Sequence, residues 1–185
     1  MANRSYLYSV DVIPEPGKEP PVIRGLSEID KDIPLAHLIL AGAQPRVCQS
    51  VIWTEQQIAV VGDFAPGMSR LIQLLNVLAH TSLVGDPTFM GALAQTVTTL
   101  SNPTFRGKFF LLEAGEIFDM SGEELEVSVS NLVQKQIPET NQKVQDALLG
   151  KGGAWLSELA KTWRESLGLV WSDVLYYDFS KKDQK

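Results

Sequence analysis

The sequence predicts an α+β fold: a small, mostly antiparallel sheet of four or five strands packed with five or six helices. Short runs rich in β-branched and aromatic residues alternate apolar with polar positions, as strands do. Longer runs repeat apolar residues every three to four positions, as amphipathic helices do. A chain of 185 residues is long enough for one buried core. We therefore expect residues 1–185 to form a single globular domain.

The strand predictions depend on alternation and on turn residues between the runs. Residues 4–10 alternate tyrosines with smaller side chains, and residues 47–53 and 57–61 are separated by three residues, as in a hairpin. The Tyr-rich C-terminal run is expected to pack its tyrosines against those of the first strand. The polar residues 25–34 are expected to be irregular. The predicted strands are 4–10, 47–53, 57–61, 108–112 and 174–179.

The helix predictions combine apolar spacing with boundary residues. Ser121 and Glu124 have the spacing of a capping box, so a helix is expected to begin there and to end at Pro138. Gly168 is expected to close the last helix in a left-handed conformation. The predicted helices lie near residues 35–42, 66–83, 87–101, 121–138, 142–149 and 153–167.

The charge distribution is uneven. Between Phe109 and Gln134 there are six carboxylates and no Lys, Arg or His, and their summed charge equals the formal net charge of −6 of the whole chain. An acidic chain whose only basic cluster is Lys181-Lys182 lacks the basic face that nucleic-acid binding needs. The six residues are Glu113, Glu116, Asp119, Glu123, Glu124 and Glu126.

This acidic stretch is the best candidate for a functional surface. The polar residues and helix start around it suggest that its carboxylates are solvated. We expect them to form an acidic face that engages a basic protein partner in a non-catalytic way. An immunity-type protein that neutralises a basic toxin is one special case. A plain helix start also explains Glu123 and Glu124, because the helix dipole favours carboxylates in the first turn.

A small enzyme with a site around Asp63 and Cys48 is an alternative. Arg46 lies two residues before Cys48, and an adjacent cation lowers a thiol pKa. A buried core cysteine is the simpler interpretation. The segment from Gly62 to Gly67 lacks the Lys-Ser/Thr pair of a phosphate loop, so a turn with Asp63 at the helix start is preferred.

A second alternative is a self-associating structural subunit that packs Trp155, Trp163 and Trp171 against another copy of the chain. No metal or other cofactor is expected, because His37 and His80 have no ligand partner one helical turn away. No apolar run approaches the roughly 20 residues that span a bilayer. The single cysteine suits a reducing compartment, so the cytoplasm is the expected location.

Several segments resemble an uncharacterised bacterial protein family of unknown function. The opening residues MANRSYLYS carry this resemblance, which continues through GLSE (25–28), DIP (32–34) and IAVVGDF (58–64) and is strongest over residues 1–75. The resemblance implies a bacterial, cytoplasmic protein with no assigned activity. It supplies no catalytic residue.

Overall fold

The structure is a computed structural model that describes residues 3–19, 21–81 and 83–179. Five strands form one antiparallel sheet in the order β2-β1-β5-β4-β3. The predicted α+β class is confirmed. The strands are β1 (Arg4–Val10), β2 (Ile23–Asp30), β3 (Arg46–Cys48), β4 (Ala59–Asp63) and β5 (Phe109–Glu113).

The helices follow the strands in the order α1 (Leu35–Ala41), α2 (Phe64–His80), α3 (Thr88–Ser101), α4 (Gly115–Ser121), α5 (Leu125–Asn131), α6 (Ile137–Leu148) and α7 (Gly153–Leu167). A π-helical turn, Leu132–Gln136, joins α5 to α6, so these two segments form one continuous helix. Pro138 therefore does not end the helix as predicted. It lies in the first turn of α6, directly after the π turn, where the altered hydrogen-bond spacing tolerates its missing N–H.

Three predictions about strands are wrong. The run 47–53 is a strand only as far as Cys48, and residues 49–58 form a loop in place of the predicted three-residue hairpin turn. The segment expected to be irregular contains most of β2, an edge strand whose alternation is broken by a register shift opposite Leu7 and Tyr8 of β1. Residues 174–179 form no strand. They cross one face of the sheet instead of extending its edge, and the Tyr176 N–H donates to the Glu28 carboxylate rather than to a neighbouring strand (2.7 Å).

The aromatic content of the C-terminal segment reflects packing on the sheet. Tyr6 and Tyr177 meet edge to face with ring centroids 5.3 Å apart, and Tyr8 meets Phe179 in the same way at 5.6 Å. Tyr176, in contrast, remains 65% exposed. Tyr177 therefore makes the predicted contact between the two Tyr-rich segments. The segment that carries Tyr177 is not the strand that was predicted.

The two faces of the sheet are covered differently. The face that carries Leu7 and Phe110 packs against the helices, which contribute most of the main core. The opposite face carries Tyr6 and Tyr8 and is covered by the loop around Val51 and by the C-terminal segment. Close approach of a helix to the sheet requires Gly62, since a Cβ there would lie 2.2 Å from the Ala41 carbonyl oxygen.

The boundaries around the acidic stretch also differ from the prediction. Ser121 does not begin a helix but ends α4, a helix that was not predicted, and its Oγ donates to the Phe118 carbonyl (2.7 Å). Gly122 follows with φ 73°, and α5 begins after Glu124 without a side-chain cap. The predicted capping box is therefore absent. The left-handed Gly168 at the end of α7 is confirmed, with φ 64°.

Candidate functional site

The six carboxylates of the acidic stretch divide into a buried pair and an exposed group. Strand β5 turns directly into α4 through Ala114, and this turn directs Glu113 and Glu116 back into the protein, where they are 1% and 3% exposed. The expectation that the stretch is solvated is wrong for these two residues. The other four carboxylates are exposed: Asp119, Glu123, Glu124 and Glu126.

Glu113 is held by the loop that follows β3. The Ser50 hydroxyl and the Val51 N–H each donate to its carboxylate at 2.7 Å. Burial raises the pKa of Glu113 to about 7, although these two hydrogen bonds favour the ionised form and act in the opposite direction. The group therefore titrates near neutral pH inside the protein.

Glu116 connects three separate parts of the chain. Its carboxylate accepts hydrogen bonds from the Arg4 N–H (2.9 Å), the Tyr6 hydroxyl (3.3 Å) and the Tyr177 hydroxyl (3.3 Å). Burial is the main cause of the raised pKa of both tyrosines, and the nearby Glu116 carboxylate raises it further. Glu116 thus ties the start of β1 and the C-terminal segment to α4.

The exposed group forms no ion pair with any residue in the part of the chain that the structure describes. Elsewhere arginines pair with carboxylates, as in Arg4–Glu28 (3.0 Å) and Arg24–Asp11 (2.8 Å). We call Asp119, Glu123, Glu124 and Glu126 the acidic surface.

Apolar side chains and two depressions accompany the acidic surface. Met120 and Val127 are each 50% exposed beside these carboxylates in the chain. An open groove of about 610 Å³ runs past Glu126 and Val127 and contains one basic residue, Lys135. A smaller cleft of about 230 Å³ includes Glu123 and lies between α4 and α5.

The structure does not bring Asp63 and Cys48 together. Cys48 pairs with Ala59 in the sheet, and Asp63 lies four residues further along β4, roughly 13 Å away at strand spacing. Burial is the main cause that raises the pKa of the Cys48 thiol to about 12. The nearby Arg46 lowers this pKa, but its effect is smaller than that of burial. Asp63 precedes α2 without capping it and pairs with Arg46 at 2.5 Å.

The tryptophans considered for self-association and the histidine His37, considered as a metal ligand, are buried in the protein or packed against its core. Trp163 is 8% exposed and meets Phe89 edge to face, with ring centroids 5.2 Å apart. Trp171 donates its indole N–H to the Thr96 hydroxyl (2.9 Å), and Trp155 packs partly buried against the same core. His37 is fully buried near two serine hydroxyls, and burial lowers its pKa to about 3.

Residues 3–19, 21–81 and 83–179 contain no group of three or more His, Cys, Asp or Glu side chains placed to hold a metal ion. No helix in that part of the chain has both the length and the apolar character needed to cross a bilayer.

One family model matches the chain over residues 11–150, and its description is "Domain of unknown function (DUF7822)". The match begins after β1 and ends before α7, although β1 lies between two other strands and α7 contributes to the main core. The limits of the match are therefore not limits of the fold. No curated protein and no solved structure matches this sequence.

Proposed function

Because the chain belongs to the DUF7822 family of domains of unknown function, we propose its function from the site itself: a non-catalytic binding module whose acidic surface engages a basic protein. This surface consists of the four exposed carboxylates and excludes Glu113 and Glu116, which are buried. The single cysteine and the resemblance described above favour the cytoplasm of a bacterium as its location. One special case of this proposal is an immunity-type protein that neutralises a basic toxin.

The lack of ion pairs on the acidic surface is the observation that carries the proposal. The chain contains 16 Lys and Arg residues, and five arginine or lysine side chains elsewhere hold carboxylates. At the acidic surface several negative charges lie within eight residues of the chain and have no such partner among residues 3–19, 21–81 and 83–179. Uncompensated charge of one sign steers an oppositely charged protein toward the surface and disfavours wrong partners.

Exposed apolar side chains give this surface a second property of interfaces. Met120 and Val127 are half exposed among the carboxylates, and the groove beside α5 adds a concave area. Protein interfaces combine a mainly apolar centre with a polar, charged rim, and methionine is enriched in them. The charge therefore supplies recognition at a distance, and the apolar contacts supply affinity at short range.

The test measures salt-dependent binding to a defined partner. The tagged protein is used to capture proteins from a bacterial lysate, and the purified partner is then titrated at low and at moderate salt. We expect a basic partner whose affinity falls as salt rises, because exposed charges are screened within about 8–10 Å at 0.1–0.15 M salt. A partner that is acidic or insensitive to salt contradicts the proposal.

Charge reversal locates the binding surface. The variant Glu123→Lys/Glu126→Lys is expected to lose the partner, and the matched variant Glu158→Lys/Glu165→Lys on α7 is expected to keep it. Both variants change the net charge equally at exposed positions. Equal loss in the two variants would show that only net charge matters, and unchanged binding in the first would remove the acidic surface from consideration.

The geometry gives less support to the two alternatives, a self-associating subunit and a small enzyme. The three tryptophans that self-association would use pack within the chain, so Trp163 offers little surface to another copy. An enzyme built on Cys48 requires a thiolate, whereas burial keeps this thiol protonated at neutral pH.

A further inference from the structure

A polar cleft lies between the turn after β2, the end of α4, and α5 with the π-helical turn that follows it. Its volume of about 230 Å³ is below the range of about 300–1,000 Å³ that is usual for small-molecule pockets. Its lining includes two carboxylates, Asp32 and Glu123, and no Lys, Arg or His. The size suits a single side chain, and the charge favours a cation.

Ser128 adds a buried hydroxyl without a partner. It lines the cleft and is 7% exposed, and its Oγ makes no hydrogen bond to any described residue. Hydroxyls on other helices donate to a carbonyl one turn earlier, as Thr96 of α3 does to Ala92 (2.8 Å). A buried hydroxyl without such a bond destabilises the folded state. Ser128 is therefore the kind of group that a bound donor would satisfy.

Two further polar side chains line the cleft with this hydroxyl. Asn131 and Gln136 are exposed, and each side-chain amide has a carbonyl oxygen that accepts hydrogen bonds. One Asp32 carboxylate oxygen accepts the Ile33 N–H (2.7 Å), and the other is free of that bond. The cleft thus presents acceptors from several directions.

The helix ends at the cleft do not reverse the preference for a cation. The C-terminal end of α4 carries partial negative charge, and the N-terminal end of α5 carries partial positive charge. The lining includes Ser121 at the end of α4 but no residue of the first turn of α5, so the positive end of α5 does not dominate the cleft. The two carboxylates then determine the sign of the potential.

We infer that this cleft receives the guanidinium group of an arginine side chain carried by the basic partner. A guanidinium has five N–H donors in one plane and reaches several separated acceptors, whereas an ammonium is a compact point charge. Ile33 and Ile117 line the cleft and provide apolar contact for the methylene stem of arginine. The inference rests on the proposed function, because Glu123 belongs to both the cleft and the acidic surface.

The first experiment uses a probe that does not require the partner. The intact protein is titrated with arginine capped at both ends, and with capped citrulline as the neutral isostere, while backbone amide NMR signals are followed. The arginine probe is expected to shift the signals of Ser128, Asn131 and Gln136, and citrulline is expected to leave them unchanged. Equal effects of the two probes, or shifts confined to other regions, overturn the inference.

Two matched variants separate the cleft from the general acidic field. Glu123→Gln is expected to raise the Kd of the arginine probe by about fivefold or more, since the carboxylate charge that strengthens the hydrogen bond to the guanidinium is removed. Glu126→Gln removes the same charge at an exposed position outside the cleft, and we expect it to change the Kd by less than about twofold at physiological salt. Equal effects would show diffuse attraction and overturn the inference.

Two further results distinguish this inference from the proposed function. Salt-sensitive partner binding without any probe binding overturns the cleft inference and leaves the acidic surface intact. Uncapped arginine is also titrated. If it binds about tenfold more tightly than the capped form, the cleft binds a free small molecule, and the inference that it receives an arginine side chain of the partner is overturned.

Discussion

Glu113 and Glu116 belong to the same acidic stretch as Glu123 and Glu126, yet the two pairs have opposite environments. The first pair is almost fully buried and satisfied by hydroxyl and N–H donors, whereas the second is exposed and has no ion pair among the described residues. The buried pair connects parts of the chain, and the exposed pair gives the surface its charge. Equal charge in a sequence therefore does not mean equal function, and substitutions distinguish the two pairs.

The largest effect is expected from Glu116→Ala. It leaves the Arg4 N–H and the hydroxyls of Tyr6 and Tyr177 without their acceptor, and each lost partner costs about 1–3 kcal/mol. Because the Arg4 N–H and the Tyr177 hydroxyl are only partly buried, we expect a total near the lower end of the summed range, about 4 kcal/mol. Urea unfolding measures the change in unfolding free energy, with Glu126→Ala as the exposed control. Equal stability of the two variants would remove the distinction between the pairs.

The next effect is a pH dependence due to Glu113. Its pKa of about 7 in the folded protein exceeds the ordinary glutamate pKa of 4.5, so the folded state holds the proton more tightly than the unfolded state. The stability from this proton is complete below pH 4.5 and is lost as pH rises through 7, by roughly 3 kcal/mol.

The variant Glu113→Gln cannot titrate at this position. Its unfolding free energy is expected to fall less between pH 5 and pH 8 than that of the original protein, since the other groups are shared. Urea unfolding across this range gives the difference. Parallel pH profiles for the two proteins would contradict a proton bound at Glu113.

A smaller loss is expected from Tyr177→Phe, which removes one hydrogen bond to Glu116 and keeps the ring that packs on Tyr6. The expected loss of stability is about 1 kcal/mol. Tyr176→Phe is the control, because that ring is 65% exposed. If Tyr177→Phe loses as much stability as Glu116→Ala, most of the stabilisation that Glu116 provides comes from its hydrogen bond to the C-terminal segment.

The smallest effect on stability is expected from Glu123→Lys/Glu126→Lys. Both positions are exposed and near the start of α5, so replacement by lysine costs at most about 1 kcal/mol through the helix dipole. Thermal unfolding measures this change. Unfolding of the variant at ordinary temperature would show that these residues support the fold, and its loss of partner binding would then prove nothing.

The local sequence already distinguishes the two pairs of carboxylates. Glu113 and Glu116 lie in FFLLEAGEIF, where nearly every neighbour is apolar or small, and Glu123 and Glu126 lie in MSGEELEV, which is more polar. Apolar neighbours indicate a buried segment, and a charged residue within one needs hydrogen-bonding partners. The summed charge of residues 109–134 does not show this difference, because it treats all six carboxylates alike.

The sequence by itself determined the α+β class, four of the five strands at least approximately, most of the helices and the left-handed Gly168, because these depend on local periodicity and on residues with special backbone preferences. The tertiary structure alone decided that β2 pairs at the sheet edge, that residues 174–179 cross the sheet without joining it, and that the helix continues past Pro138. It also decided which groups hydrogen-bond to the two buried carboxylates, because the donors at Arg4, Ser50 and Tyr177 are between 61 and 112 residues away along the chain. Contacts over such separations leave no local pattern, so one sequence contains no signal from which to predict them.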